Sequence, residues 1–288
     1  MSLYAICRQG NIIVKPVELT PQIFSQVDGI FQTQEMAFMN GINAEIDFTG
    51  DWKPDPDEVL LIRALPDAHT LLTATHQNAV ALPPLNAGNF ANEGVVGLFV
   101  SVGAGSNQRI LIQNFGPQQL MAGPGKFSLL HNGNVFRKIT EPAFSIGNNL
   151  VATINATGEV RFKSYPMIRR VLDVTPVFRA ATDKEIAAFC SHGSLSVPNP
   201  QSFTTSADEG IWKQVMAISK SGVLNSYTVA QINAQAQAIG FPVSIVNGKI
   251  EIPQDRKSAK AVLSFLLNKI YLGPINQQLF ITNSNRPF

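Results

Sequence analysis

The chain has 288 residues, 45% hydrophobic and 15% charged, enough apolar side chain to offset the entropy of folding and to exclude a disordered polypeptide. Its net charge of +2 conceals a division: residues 1–108 carry four Lys and Arg against eleven Asp and Glu, a net −7, and residues 109–288 carry eighteen against nine, a net +9. No run approaches the roughly 20 apolar residues of a membrane-spanning helix, Arg8 interrupts any signal-peptide core, and Cys7 and Cys190 are too few for a disulfide scaffold, so a cytoplasmic protein with packed thiols is expected.

The opening segments LYAICR and NIIVKPVEL predict two strands joined at Gln9-Gly10-Asn11, a hairpin connection. Pro21 opens a helix in which Ile23, Val27, Ile30, Phe31, Met36 and Phe38 recur at near-helical spacing until Asn40-Gly41 stops it. That stripe faces either the core or a dimer seam. Residues 45–58, EIDFTGDWKPDPDE, have the turn chemistry of a solvated acidic loop. They offer oxygen donors for a divalent cation without the spacing of a calcium loop.

VLLIRAL, VVGLFVSV and RILIQNF predict further strands of a mixed sheet, and LPPLNAGNFANEG its longest irregular connection. Gly103-Ala104-Gly105-Ser106 is expected to be a plain hairpin loop, since no Lys-Ser/Thr follows it and Gln108 stands where a dinucleotide fold needs glycine. FSLLHNGNVFRKI and LVATINATGEVRFKS each read as strand, Asn/Gly turn, strand. Helices follow: capping boxes are expected at Thr182/Glu185, Ser206/Glu209 and Thr228/Gln231, with Gly222 as a C-cap. Asn247-Gly248 marks another hairpin, and a helix over about residues 256–269 leads to a last short strand, QLFITN. The fold class is therefore α+β, a mixed sheet with hairpins in the N-terminal part and a helix-rich C-terminal part. Charge and connection length together divide it into an acidic region, 1–108, and a basic one, 109–288.

No catalytic constellation assembles from the sequence. His69, His76, His131 and His192 lack partners at matched spacing, and HExxH, CxxC and GxSxG are absent, so no enzymatic activity, metal or cofactor is expected. A metal-dependent nuclease is the competing enzyme reading; Glu159 to Lys163 and Asp255 to Lys257 supply acids and cations, but Arg161 occupies the place of a metal-site lysine and Asp255 opens a helix. The cations carry more. Arg161 and Lys163 alternate with Val160 and Phe162, so both project from one face of a strand, and Arg169 and Arg170 follow closely. Arg256, Lys257 and Lys260 crowd the first turn of the last helix, where the helix dipole disfavours them unless an anion is near. Phosphate would supply that anion, and a solvated basic surface is the alternative; no motif for base-specific readout occurs.

The succession EVRFKSYPMIRRVLD, ATDKEIAAF, GKIEIPQDRKSAKAVLSFLLN and FITNSNR, within residues 109–288, resembles the KwaB-like family, the cytosolic component of the Kiwa anti-phage defence system. The resemblance implies a bacterial protein without enzymatic activity that binds DNA and interferes with phage DNA replication or transcription. It also implies a homodimer or higher homo-oligomer, and a KwaA-like membrane protein as the partner that recruits it to the inner membrane. The cations inside the matched motifs, Arg161, Lys163, Arg169, Arg170, Arg256, Lys257, Lys260 and Arg286, become the candidate DNA contacts. A non-catalytic protein-interaction module, whose acidic and basic halves dock complementary subunits, is the alternative function.

Overall fold

Short, nearly continuous apolar runs in the N-terminal strands build one large sheet whose central strands are buried on both faces. A computed structural model describes residues 2–48, 54–77, 81–122, 127–133 and 135–282, and the described residues form two compact units that meet in the chain at 176/177.

The first unit contains β1 (Leu3–Gln9), β2 (Asn11–Val17), α1 (Pro21–Met39), β3 (Ala44–Asp47), β4 (Glu58–Ile62), α2 (Pro66–His76), β5 (Val95–Val102), β6 (Arg109–Asn114), β7 (Leu129–Asn132), β8 (Val135–Lys138), β9 (Ala152–Asn155), β10 (Val160–Phe162) and α3 (Tyr165–Val171). Eight strands pair in the order β2-β1-β5-β6-β9-β10-β4-β3, and β7 and β8 form a separate hairpin. Only β3 and β4 run parallel; the other neighbours are antiparallel.

Side chains alternate between the two faces. Leu3, Ala5, Cys7, Val59, Leu98, Val100 and Leu111 pack with Val27, Phe31 and Phe38 of α1. The predicted α1 stripe is thus narrower than its apolar residues suggest: Ile23, Ile30 and Met36 are exposed, and Gln34 takes a buried position. The opposite face receives α2 and α3. There, β5 presents Gly97, whose absent side chain leaves room for Val171: a Cβ built on it would stand 2.7 Å from Val171 Cγ1. Arg8 fixes the same end of α3 by donating to the Val171 carbonyl at 3.1 Å.

The expected boundary at 108/109 is overturned, because it falls between β5 and β6, adjacent strands of one sheet joined from Gly97–Asn114 to Val102–Arg109. Residues 1–176 carry twelve Lys and Arg against fourteen Asp and Glu, a net −2, and residues 177–288 carry ten against six, a net +4. The steep asymmetry of the linear sequence is therefore mostly an artefact of where it is cut. The acidic loop expected over 45–58 is also corrected: Glu45 and Asp47 lie on β3, and Glu58 begins β4, buried and accepting from the Asp55 amide at 2.9 Å. Residues 49–53 of that segment lie outside the described residues.

The second unit contains α4 (Asp183–Cys190), β11 (Leu195–Ser196), α5 (Pro200–Ser206), α6 (Glu209–Ser221), α7 (Val223–Ser226), α8 (Val229–Ala238), β12 (Ile245–Val246), β13 (Lys249–Glu251), α9 (Arg256–Leu266), β14 (Ile270–Leu272) and β15 (Leu279–Ile281). Its core gathers Ile186, Phe189, Leu195, Phe203, Ile211, Val215, Ile250 and Leu263 around the three-stranded sheet β11-β13-β12. Thr182/Glu185 and Thr228/Gln231 form the capping boxes read from the sequence. The third does not form: Ser206 ends α5, and Asp208 caps α6 by accepting from the Ile211 amide. Asn247 and Gly248, at φ 50° and 73°, make the tight β12–β13 turn, a conformation that glycine and asparagine tolerate and most residues do not.

Candidate functional site

On β10, Val160 and Phe162 are fully buried, and Arg161 and Lys163 alternate with them as predicted. Their surroundings differ. Arg161 forms a two-pronged pair with Glu45, Nε to Oε1 at 2.7 Å and Nη2 to Oε2 at 3.2 Å, and Glu159 lies 3.9 Å away. Arg63 joins the same cluster through Asp47 at 3.0 Å and Glu159 at 3.1 Å. Strand β3, one strand beyond β4, places its acids on the face from which Arg161 projects. Arg161 is therefore neutralised and leaves the set of available cations. Among the described residues Lys163 has no such partner; its Nζ sits 5.1 Å from the centre of the Phe38 ring, an arrangement that holds the charge without cancelling it.

On α3, the Arg169 guanidinium lies 5.8 Å from the Tyr165 ring centre, and Arg170 is exposed beside it. Among the described residues neither joins an ion pair. Both occupy the last turn of α3, where the partial negative charge of the helix terminus favours a cation.

The second unit answers the crowding of α9 without phosphate. Asp208 Oδ2 accepts from Arg256 and, at 2.7 Å, from Lys260, while Asp208 Oδ1 caps α6 at 2.9 Å and Asp255 caps α9. The anion that the helix dipole asks for is thus a carboxylate of the same unit. Arg256 and Lys260 are committed to it, and Lys257 alone of the three remains exposed without an ion pair among the described residues. Arg286 lies outside the described residues.

Strand register brings the segments that carry the available cations of the first unit to one end of its sheet. Ala152, the first residue of β9, pairs with both Ile112 near the end of β6 and Phe162 at the end of β10. Residues 115–151, which carry the β7–β8 hairpin, therefore leave and rejoin the sheet at the end where Lys163 emerges. At the same end α3 packs on β5 and β6, with Val171 at Gly97. The hairpin contributes Arg137 and Lys138, both exposed and without a carboxylate partner among the described residues. These two were not singled out from sequence. A signal was present: no Asp or Glu occurs between Glu93 and Glu141.

Two of the four histidines have side-chain partners. His76 Nε2 meets Gln108 Oε1 at 2.7 Å, with Gln108 Nε2 donating to Thr75 and Ser101; His192 Nε2 meets Asn225 Oδ1 at 3.1 Å. Asn155 Oδ1 accepts from the Thr157 and Glu159 amides, which makes the Asn155-Ala156-Thr157 segment a turn. Burial pushes the Cys7 thiol up to about 11 and raises that of Cys190. Among the described residues no three His, Cys, Asp or Glu side chains converge as a metal site, and no helix is long and apolar enough to cross a membrane. No protein-family model, curated protein or solved structure matches the chain.

Proposed function

We propose that the protein binds DNA without sequence specificity, through phosphate contacts at this end of the first unit's sheet. One observation carries the reading: Arg137, Lys138, Lys163, Arg169 and Arg170, which no carboxylate neutralises among the described residues, belong to segments that meet at one end of the sheet. Cations so placed release counterions from a polyanion and supply sequence-independent affinity. The first unit is net acidic, so the attraction must be local, a patch whose reach is about one Debye length, roughly 8 Å at physiological salt.

The resemblance to the KwaB-like family extends the proposal to its setting. The target is phage DNA, and binding interferes with its replication or transcription. The protein acts in the cytoplasm as a homodimer, brought to the inner membrane by a KwaA-like partner. It does so as a binding protein and not as an enzyme.

Duplex binding at 50 and 200 mM salt tests the phosphate reading. If all five cations contact phosphate, the log–log salt slope is about −4.5 and the fourfold increase weakens binding roughly 500-fold. The triple variant K163Q/R169Q/R170Q is expected to flatten the slope by about 2.7. Salt-insensitive binding, or an unchanged slope in the triple variant, removes the site from consideration.

A further inference from the structure

The β7–β8 hairpin is unusual in what it exposes. Phe127 is 73% exposed and Phe136 69%, and Leu129, Leu130 and Val135 are all more than half exposed. An isolated two-stranded hairpin is marginally stable in water and gains nothing from holding these groups in solvent.

Register sorts them. Leu129 pairs with Lys138 and His131 with Phe136, so these four share one face; Leu130 and Arg137 pair on the other, together with Val135. Phe127 joins the first face, since Lys138 Nζ lies 5.5 Å from its ring centre, and the Ile139 amide donates to Ser128 at 2.9 Å, continuing the ladder to that point. The first face therefore carries three rings, Phe127, His131 and Phe136, with His131 and Phe136 centred 4.9 Å apart. Phe127 and His131 are four residues apart, about 13 Å at the rise of a strand. Lys138 stands among them and Arg137 behind.

We propose that this aromatic face is a stacking platform for unpaired bases, so that the hairpin selects single-stranded nucleic acid while the cations around it hold the phosphates. The inference rests on the phosphate-binding reading and names the form of polynucleotide that the same site prefers. Rings on an exposed β surface accept the faces of bases whatever their sequence, and only bases freed from a duplex can reach them. The charge agrees: every ionisable side chain described on the hairpin is a cation or a histidine. Segregation of the rings to one face favours bases over a lipid surface, which would ask only for apolar bulk.

Fluorescence anisotropy with a labelled 15-mer of thymidylate and a 15-base-pair duplex separates the outcomes. Phe136→Ala is expected to weaken binding of the single strand about tenfold or more and that of the duplex less than twofold. Phe136→Trp, which keeps the ring, retains single-strand affinity, and Phe136→Leu, which keeps only apolar bulk, does not. Circular dichroism identical to wild type confirms that the exposed substitutions leave the fold intact. Equal single-strand affinity in wild type and Phe136→Ala overturns the platform while leaving the phosphate reading standing. No binding of either oligonucleotide by wild type overturns both. Sedimentation with vesicles of phosphatidylserine and phosphatidylcholine that Phe136→Ala abolishes, with oligonucleotide binding unchanged, assigns the hairpin to a lipid surface and also defeats the proposal.

Discussion

The placement of α3 depends on a missing side chain, and Gly97→Ala measures that dependence. The new Cβ would stand 2.7 Å from Val171 Cγ1, 3.0 Å from the Gln113 carbonyl oxygen and 3.4 Å from Ile6 Cδ1. Carbon atoms rest at about 3.5–4.0 Å, so α3 must retreat by roughly 1 Å or the sheet must bend. Overpacking of this kind costs about 1–3 kcal/mol. Gly97 is not at positive φ, so alanine returns about 0.4–1 kcal/mol through the unfolded chain. A net loss of about 1–2 kcal/mol is expected, a fall of roughly 0.5–1 M in urea midpoint for a slope near 2 kcal/mol per M. Hydrogen exchange of the segment 95–114 in urea reads the first unit by itself. Val171→Ala alone should cost about 2 kcal/mol by leaving a cavity. Combined with Gly97→Ala it should relieve the clash, so that the pair costs about 1 kcal/mol less than the sum. Strict additivity within about 0.5 kcal/mol would show that the two residues do not meet and that α3 is held otherwise.

Three further outcomes are expected. Asp208→Asn keeps an acceptor for the α6 cap but removes the charge facing Arg256 and Lys260; thermal unfolding should show a loss of about 0.5–1 kcal/mol for these partly exposed pairs, and Asp208→Ala about 1 kcal/mol more through the lost cap. Tighter DNA binding by Asp208→Asn would move the interface to α9. Glu185 is held down to about 2 by Arg179 and by the Thr182 amide and hydroxyl. A depressed carboxylate contributes stability above its ordinary value near 4.5 and loses it as pH falls toward 2, so Glu185→Gln should flatten the urea midpoint across that range; an unchanged acid profile would contradict the pairing. Cys7 is fully buried with its thiol raised to about 11. Iodoacetamide at pH 8 should leave it unmodified in the native protein and modify it in urea, read by mass spectrometry. The neutral thiol favours the folded state up to pH 9, a contribution that fades between 9 and 11.

Local chemistry was the legible part of the fold. The β1–β2 turn at Gly10, the Thr182 and Thr228 boxes and the Asn247-Gly248 turn each rest on a few adjacent residues whose side chains or backbone freedom decide the outcome. Ser206/Glu209 matched the same spacing and failed, because Pro200 had already opened α5 with Asn199 as its cap, and Asp208 offered a carboxylate one residue before Glu209. A capping pattern says where a helix can start and not which of two overlapping starts is used. The stripe of α1 misled for a related reason: Ile30 and Phe31 are adjacent in sequence but 100° apart on a helix, and the sheet surface covers only the arc that holds Val27, Phe31, Gln34 and Phe38.

Charge was the least legible property, because it is settled by partners distant in sequence. Glu45 reaches Arg161 across 116 positions, Glu35 meets Arg109 across 74, with Nε to Oε1 at 2.5 Å, and Asp208 meets Lys260 across 52. The first two of these pairs join a residue of the acidic third to one of the basic remainder. The asymmetry that suggested a polyanion partner is thus partly spent inside the sheet. What survives is smaller and better placed: five cations at segments sharing one sheet end, two of them on a hairpin of exposed rings. Antiparallel pairing does this because it returns each strand to the end where its neighbour began, so the segment 115–151 leaves and rejoins the sheet at the end where Lys163 follows β10. Where unneutralised positive charge lies in the first unit is therefore a consequence of strand order and distant partners, and a linear tally of charges finds it only where no acid intervenes, as between Glu93 and Glu141.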